Sequence, residues 1–299
     1  MVNRYPKIAT RGKAMLLGML VLGAALSIQP AFAQEATPSP SPSALPAAET
    51  PAQSEAQAQK LQALAANPIA SLVSIPFQYN LNFNYGIYRR TQQLLNIQPV
   101  IPTDLGNGHT FVSRIVTPFI GLPALAPNVG PQIGVGDLNP QFYYVPKQGS
   151  VMVGYGPTFV FPTGTSQWVG QGKWSVGPDA VIVITQKNVV YGLLANNVWS
   201  VAGDPSRANV NQALFQAFSS WSLAHGLSVG VTSTTTANWE AAGSNKWNVP
   251  IGPTIFQLMK FGPGMGGQIG GAIFWTAVRP QYGSTWTARI QMTILQPAK

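Results

Sequence analysis

From Ile75 to Gly86 the chain reads Ile-Pro-Phe-Gln-Tyr-Asn-Leu-Asn-Phe-Asn-Tyr-Gly, and this alternation constrains the fold more than any other stretch. Successive side chains of a strand point to opposite faces. Ile75, Phe77, Tyr79, Leu81, Phe83 and Tyr85 therefore share one face, and Gln78, Asn80, Asn82 and Asn84 share the other. The pattern returns near the C-terminus, where Trp286, Ala288, Ile290, Met292 and Ile294 alternate with Thr287, Arg289, Gln291 and Thr293. Strands of about ten residues that turn large apolar groups toward lipid and polar groups toward a lumen are the signature of a transmembrane β-barrel.

Composition agrees. Only 8% of the 299 residues are charged, where soluble domains carry roughly 25%. Beyond the N-terminal segment there is no apolar run of spanning-helix length, so low charge points to a barrel, in which every second residue faces lipid. The chain has no cysteine, which excludes lipidation through an N-terminal Cys, thiolate metal sites and Cys nucleophiles. Of the formal +9 charge, Arg4, Lys7, Arg11 and Lys13 lie in the first segment. The remaining basic residues are few and scattered, which excludes a nucleic-acid surface and fits loops beside anionic lipopolysaccharide head groups.

Residues 1–33 have the anatomy of a secretory signal: a basic start, the apolar run Ala14–Ser27, and Ala31-Phe32-Ala33 for cleavage. Residues 34–66 begin with a Pro/Ser tract that cannot bury enough apolar area to order itself, so a disordered periplasmic tail is expected. Within it Glu55–Ala66 has the composition of a short helix, expected to float free rather than plug a lumen. Residues 67–299 are expected to form the all-β domain, an antiparallel up-and-down barrel. Twelve strand candidates centre on 75–85, 93–101, 110–120, 138–145, 151–161, 176–185, 189–199, 211–221, 227–235, 247–258, 266–277 and 284–295, with ten as the alternative count. From the third strand onward the connections alternate long and short, as outer-membrane barrels do. That parity puts long loops outside and both chain ends in the periplasm. Trp168, Trp174, Trp199, Trp239, Trp247 and Trp286 fall near strand ends beside long loops, where a membrane boundary suits an indole. The competing reading of these aromatics is the core of a secreted β-sandwich.

Several stretches carry a family resemblance: Asn67-Pro-Ile-Ala-Ser-Leu72, Gly134-Val-Gly-Asp-Leu-Asn-Pro-Gln141, Val153-Gly-Tyr-Gly-Pro-Thr158, Phe161-Pro-Thr-Gly164, Gly172-Lys-Trp-Ser-Val-Gly-Pro178 and Leu194–Asp204. Over most of residues 67–299 the chain resembles bacterial outer-membrane barrels related to the meta-pathway phenol-degradation family, often labelled transporters or neuromedin U. The resemblance implies an outer-membrane barrel that admits small aromatic or apolar compounds and is inserted by the barrel-assembly machinery. It transfers no binding residue. The chain departs from many such barrels by ending Gln296-Pro-Ala-Lys299 rather than on an aromatic.

No catalytic constellation stands out. A Ser nucleophile needs a His base within hydrogen-bond reach, and the chain has only His109 and His225. Four residues of extended chain would hold Ser113 about 13 Å from His109. The carboxylates Asp104, Asp137, Asp179, Asp204 and Glu240 show no metal-ligand spacing, and Asp137, after Gly134-Val-Gly136, reads as a turn residue. The glycines from Gly262 to Gly271 lack the strand–turn–helix context of a phosphate loop. No enzyme activity and no cofactor are expected. The lumen is the candidate site, lined by Gln78, Asn80, Asn82, Asn84, Asn96, Gln98, Arg114, Asp179, Arg289 and Gln291. A charge facing lipid costs about 2–4 kcal/mol at the midplane, so Arg114 and Arg289 should point inward, with Asp179 the acid suited to pair with them. These groups either line a conduction path or fill a closed interior by bonding to one another. In the second case the barrel is structural or binds partners through its long loops.

Overall fold

The computed structural model describes residues 50–262 and 265–297. A helix, α1 (Pro51–Ala66), precedes fourteen strand segments: β1 (Leu72–Tyr85), β2 (Arg90–Ile97), β3 (Val100–Gly106), β4 (His109–Leu122), β5 (Gln132–Val135), β6 (Asn139–Val145), β7 (Val151–Val160), β8 (Lys173–Gln186), β9 (Val189–Gly203), β10 (Asn211–Ser222), β11 (Leu227–Asn238), β12 (Trp247–Gly262), β13 (Met265–Val278) and β14 (Trp286–Pro297). Two breaks reduce fourteen segments to twelve strands. β2 and β3 run in succession against β4 on either side of Gln98-Pro99, where proline removes a ladder donor. β5 and β6 likewise share β4 on either side of Gly136-Asp137-Leu138. All neighbours are antiparallel, and β14 pairs with β1 in unbroken register from Leu72↔Pro297 to Phe83↔Trp286. The sheet is thus a closed barrel of twelve strands.

The tight turns at Asn107-Gly108 and Lys187-Asn188 lie at the end where β1 starts and β14 finishes. The long connections 123–131, 161–172, 204–210 and 239–246 lie at the other end. We call these the turn end and the loop end. Asn107, Gly108 and Lys187 have positive φ, which a two-residue hairpin turn requires. Gly177 is needed for another reason: a Cβ there would overlap the backbone carbonyl of Asn197 on the neighbouring strand.

Burial follows the period of two. Along β8, Lys173, Ser175, Asp179, Val181 and Val183 are buried while Trp174, Pro178, Ala180 and Ile182 are exposed. The outer surface is apolar, and Trp174, Trp199, Trp239, Trp275 and Trp286 ring its loop end. Trp239 spends its indole N–H on Asn197 Oδ1 at 2.7 Å, as an aromatic at a water boundary does. Ile290 lies mid-wall between Gly271 and Tyr79 and is 64% exposed. Ile290→Arg is expected to cost about 2–4 kcal/mol, read as a lowered urea midpoint for folding into phospholipid vesicles, while Gln291→Arg on the inner face costs far less.

The region before β1 departs from the expectation of a free tail. Residues 1–33 and 34–49 lie outside the described residues, but Pro51–Ala66 is an ordered helix against the barrel. Thr50 and Gln53 form a capping box and Pro51 takes the first helical position, both strong start signals. Glu55 accepts a hydrogen bond from the His225 backbone N–H at 3.2 Å, tying the helix to the β10–β11 turn. Leu61, Leu64 and Ala65 pack on Ala70, Leu72 and Leu295. Asn67 then reverses the chain: its Oδ1 accepts from Ile69 N–H at 3.0 Å and its Nδ2 points at Met152 Sδ. The turn drives Ile69 into a cluster with Val100, Val112, Tyr143, Val145, Met152, Val181, Val183, Val190 and Leu194, where it is wholly buried. The inner face of β3–β9 toward the turn end is therefore apolar, and α1 with residues 67–71 occupies that mouth.

Candidate functional site: the barrel lumen

Above the apolar cluster runs a band of polar side chains whose orientation Arg114 dictates. A guanidinium only donates, so Gln98, reached by Arg114 Nη2 at 2.6 Å, must present its oxygen. Its nitrogen then donates to Gln78 Oε1 at 2.9 Å, Gln78 donates to Gln291 Oε1 at 3.1 Å, and Gln291 donates to Thr293 Oγ1 at 3.1 Å. On its other side, Arg114 Nη1 donates to Gln141 Oε1 at 3.1 Å. Tyr143 Oη lies 3.0 Å from that oxygen and 2.9 Å from Asp179 Oδ2, which also accepts from Asn196 Nδ2 at 3.1 Å. The single Tyr143 hydroxyl hydrogen serves one of these two acceptors at a time. The hydrogen bonds therefore run unbroken from Thr293 to Gln141, and with Tyr143 between Gln141 and Asp179 the band spans β14, β1, the β2–β3 break, β4, β6, β8 and β9. It crosses β7 where Gly154 faces inward; a Cβ there would lie 3.1 Å from Val181 Cγ1 and 3.3 Å from Tyr143 Cβ.

The expected pairing of Asp179 with an arginine takes a different form. Arg114 contacts Gln98 and Gln141, and Asp179 contacts Tyr143 and Asn196, so the two charges do not touch and Gln141 and Tyr143 stand between them. Arg289 is held apart from both: its Nε donates to Asn80 Oδ1 at 2.8 Å and its guanidinium lies 4.9 Å from the Phe274 ring centre, a cation–π distance. Asn80 turns its nitrogen to the carbonyls of Gln78 and Leu94. Asn82 accepts from Thr287 Oγ1 at 2.6 Å and donates to Gln92 Oε1 at 2.9 Å. Asn84 does not continue the row. The β1–β2 register shifts between Asn82 and Tyr85, Asn84 takes φ 60°, and its exposed amide bonds Thr285 Oγ1 at the loop-end rim.

The band borders a cavity of about 170 Å³. Gln78, Gln98, Arg114, Arg289 and Gln291 form one wall, and Gln216, Phe218, Thr232, Thr254 and Phe256 the facing one. Its floor is Ala65, Ala66, Asn67 and Pro68 at the end of α1. Sequence reading missed Gln141, Tyr143 and Asn196, although Asn139, Gln141 and Tyr143 alternate with Pro140, Phe142 and Tyr144. It also missed the facing wall, whose small hydroxyl residues carry no strong inward signal.

Other polar groups hold loops and turns. Asp137 accepts from the backbone N–H groups of Gly164 and Gln171 at 2.9 and 2.6 Å. Arg207 donates to the carbonyls of Gln167, Gly170 and Gln171. Together they shape the 161–172 loop, whose Val169 packs over Gly134. His109 Nδ1 lies 2.8 Å from Tyr144 Oη and its ring stacks on that tyrosine. His225 occupies a turn with φ 56°. Among the described residues no three His, Cys, Asp or Glu side chains gather as metal ligands would.

No protein-family model and no curated protein sequence matches the chain. Among solved structures it is similar to an outer membrane channel from Pseudomonas putida F1, at 14% identity and a TM-score of 0.55 over 75% of this chain and 94% of that one. It also aligns with the NanC porin at 10% identity and a TM-score of 0.48, over 75% of this chain and 98% of the porin. The first of these likenesses places the fold, a twelve-stranded antiparallel barrel, among known outer-membrane architectures.

Proposed function

We propose that this protein is an outer-membrane channel that lets small molecules pass passively through its lumen. The observation that carries the reading is the cavity at mid-barrel between a polar wall that holds Arg114 and Arg289 and a mixed wall of Gln216, Thr232, Thr254 and two phenylalanines. The apolar outer surface and its tryptophan ring support insertion in a lipid bilayer. The resemblance to meta-pathway barrels supports aromatic or apolar compounds as solutes. The turn end, where α1 sits, is assigned to the periplasm and the long loops to the lipopolysaccharide side. Secretion by the 1–33 signal and insertion by the barrel-assembly machinery complete the proposal.

Single-channel recording tests it. Protein folded in detergent and added to a planar bilayer should give discrete conductance steps. Among the described residues no carboxylate lines the cavity, so in a potassium chloride gradient the reversal potential should have the sign of chloride preference. Arg289→Gln should reduce that preference. A second reading has its own observation: the Ile69 cluster and α1 fill the turn-end mouth, as they would in a closed structural barrel. Silence from inserted, folded protein that persists after α1 is removed would favour it.

A further inference from the structure

We infer that the mid-lumen cavity is a binding station for small organic carboxylates with a ring or comparable apolar body. The inference deepens the channel reading and rests on it for the route by which the solute arrives. Its first support is an imbalance of donors. A guanidinium has five N–H donors and a primary amide two. Arg289 commits only Nε, to Asn80. Arg114 commits one donor from each terminal nitrogen. Gln98, Gln78 and Gln291 each commit one amide hydrogen, while their oxygens already accept from Arg114, Gln98 and Gln78. Each of those amides keeps one hydrogen and one oxygen lone pair, so the wall's surplus of donors is that of its two guanidinium groups, which accept nothing. Such a wall suits a ligand that accepts and carries negative charge.

The second support is the pair of cations. Arg114 and Arg289 both line the cavity, and among the described residues no carboxylate does. Asp179 is absent from its lining, and its Oδ2 is engaged by Tyr143 and Asn196. Charge-assisted bonds from a guanidinium to a carboxylate are the strong ones, and Phe274 behind Arg289 fixes the donor's position. The third support is that Phe218 and Phe256 add apolar surface to the same cavity. Size agrees: a cavity of about 150 Å³ accommodates benzene in an apolar protein interior, and this one is about 170 Å³. Carboxylate on the arginines and ring on the phenylalanines satisfies both walls at once.

Calorimetric titration of benzoate into the folded protein in detergent tests the inference, with benzyl alcohol and acetate as probes lacking the charge or the ring. Benzoate should bind, and each partial probe should bind at least about tenfold more weakly. Arg289→Gln should weaken benzoate by about ten- to a hundredfold, the range of a lost charge-assisted bond. Arg289→Lys should fall between, because it keeps the charge and loses the fork. Phe256→Ala should weaken benzoate and leave acetate unchanged, a readout that needs no charge substitution. Equal affinity for benzoate and benzyl alcohol would overturn the carboxylate assignment, and indifference to both Arg289→Gln and Phe256→Ala would overturn the site. Conducting protein that fails to bind benzoate defeats the inference and spares the channel. Benzoate binding that depends on Arg289 in a non-conducting barrel does the reverse.

Discussion

Deleting residues 51–70 should raise single-channel conductance several-fold. This segment occupies the turn-end mouth: Ile69 is wholly buried among inward residues of β3–β9, and Ala65 to Pro68 floor the cavity. The barrel wall does not need it, because β14 and β1 close on each other from Leu72 onward. Removing it trades a packed obstruction for water and leaves twelve strands paired. One group of the segment works against its docking. Gln62 is 1% exposed, and both polar atoms of its amide lack a partner among the described residues. Such a group costs about 1–3 kcal/mol, so Gln62→Leu should hold the helix more firmly and lower conductance below that of the unaltered protein. Unchanged conductance in both variants would mean that the obstruction to flow lies elsewhere, with the 161–172 loop the next place to look.

The wall of this barrel was legible and much of its interior was not, for a physical reason. Where one face is apolar and exposed and the other carries a polar band, as in β1 and β14, alternation names both faces. Ala180-Val-Ile-Val-Ile184 and Val189 to Leu194 are apolar on both faces, because their inner side packs on Ile69 rather than on water. Period-two reading cannot show a packed lumen, and it mistook part of this interior for a polar one. The start of α1 was visible in Thr50-Pro51 and Gln53. Its docking was not, since it depends on Leu61, Leu64 and small residues meeting strands more than two hundred positions away, such as Leu295. Asn84 shows the opposite failure. A regular alternation ran on into a turn, where a register shift and positive φ turned the last amide out to the rim.

The charges of the band should prove coupled although they do not touch. Arg114→Met leaves Asp179 buried at 2% exposure with no cation on the far side of Gln141 and Tyr143. Leaving one member of a buried pair uncompensated costs about 3–5 kcal/mol, and the two side chains standing between the charges argue for the lower end, about 3 kcal/mol. Asp179→Leu removes the carboxylate's own desolvation penalty and strands the Asn196 amide, while Tyr143 retains Gln141 as acceptor. It should cost about 1–3 kcal/mol, the price of one unsatisfied donor. Once Arg114 is gone, however, Asp179 is a liability, so the double variant should be more stable than Arg114→Met alone. Urea unfolding from lipid vesicles, followed by tryptophan fluorescence, measures all three. A double variant that loses the simple sum of the single losses would show that the band from Arg114 to Asp179 transmits no electrostatic energy, leaving the hydrogen bonds as separate local contacts.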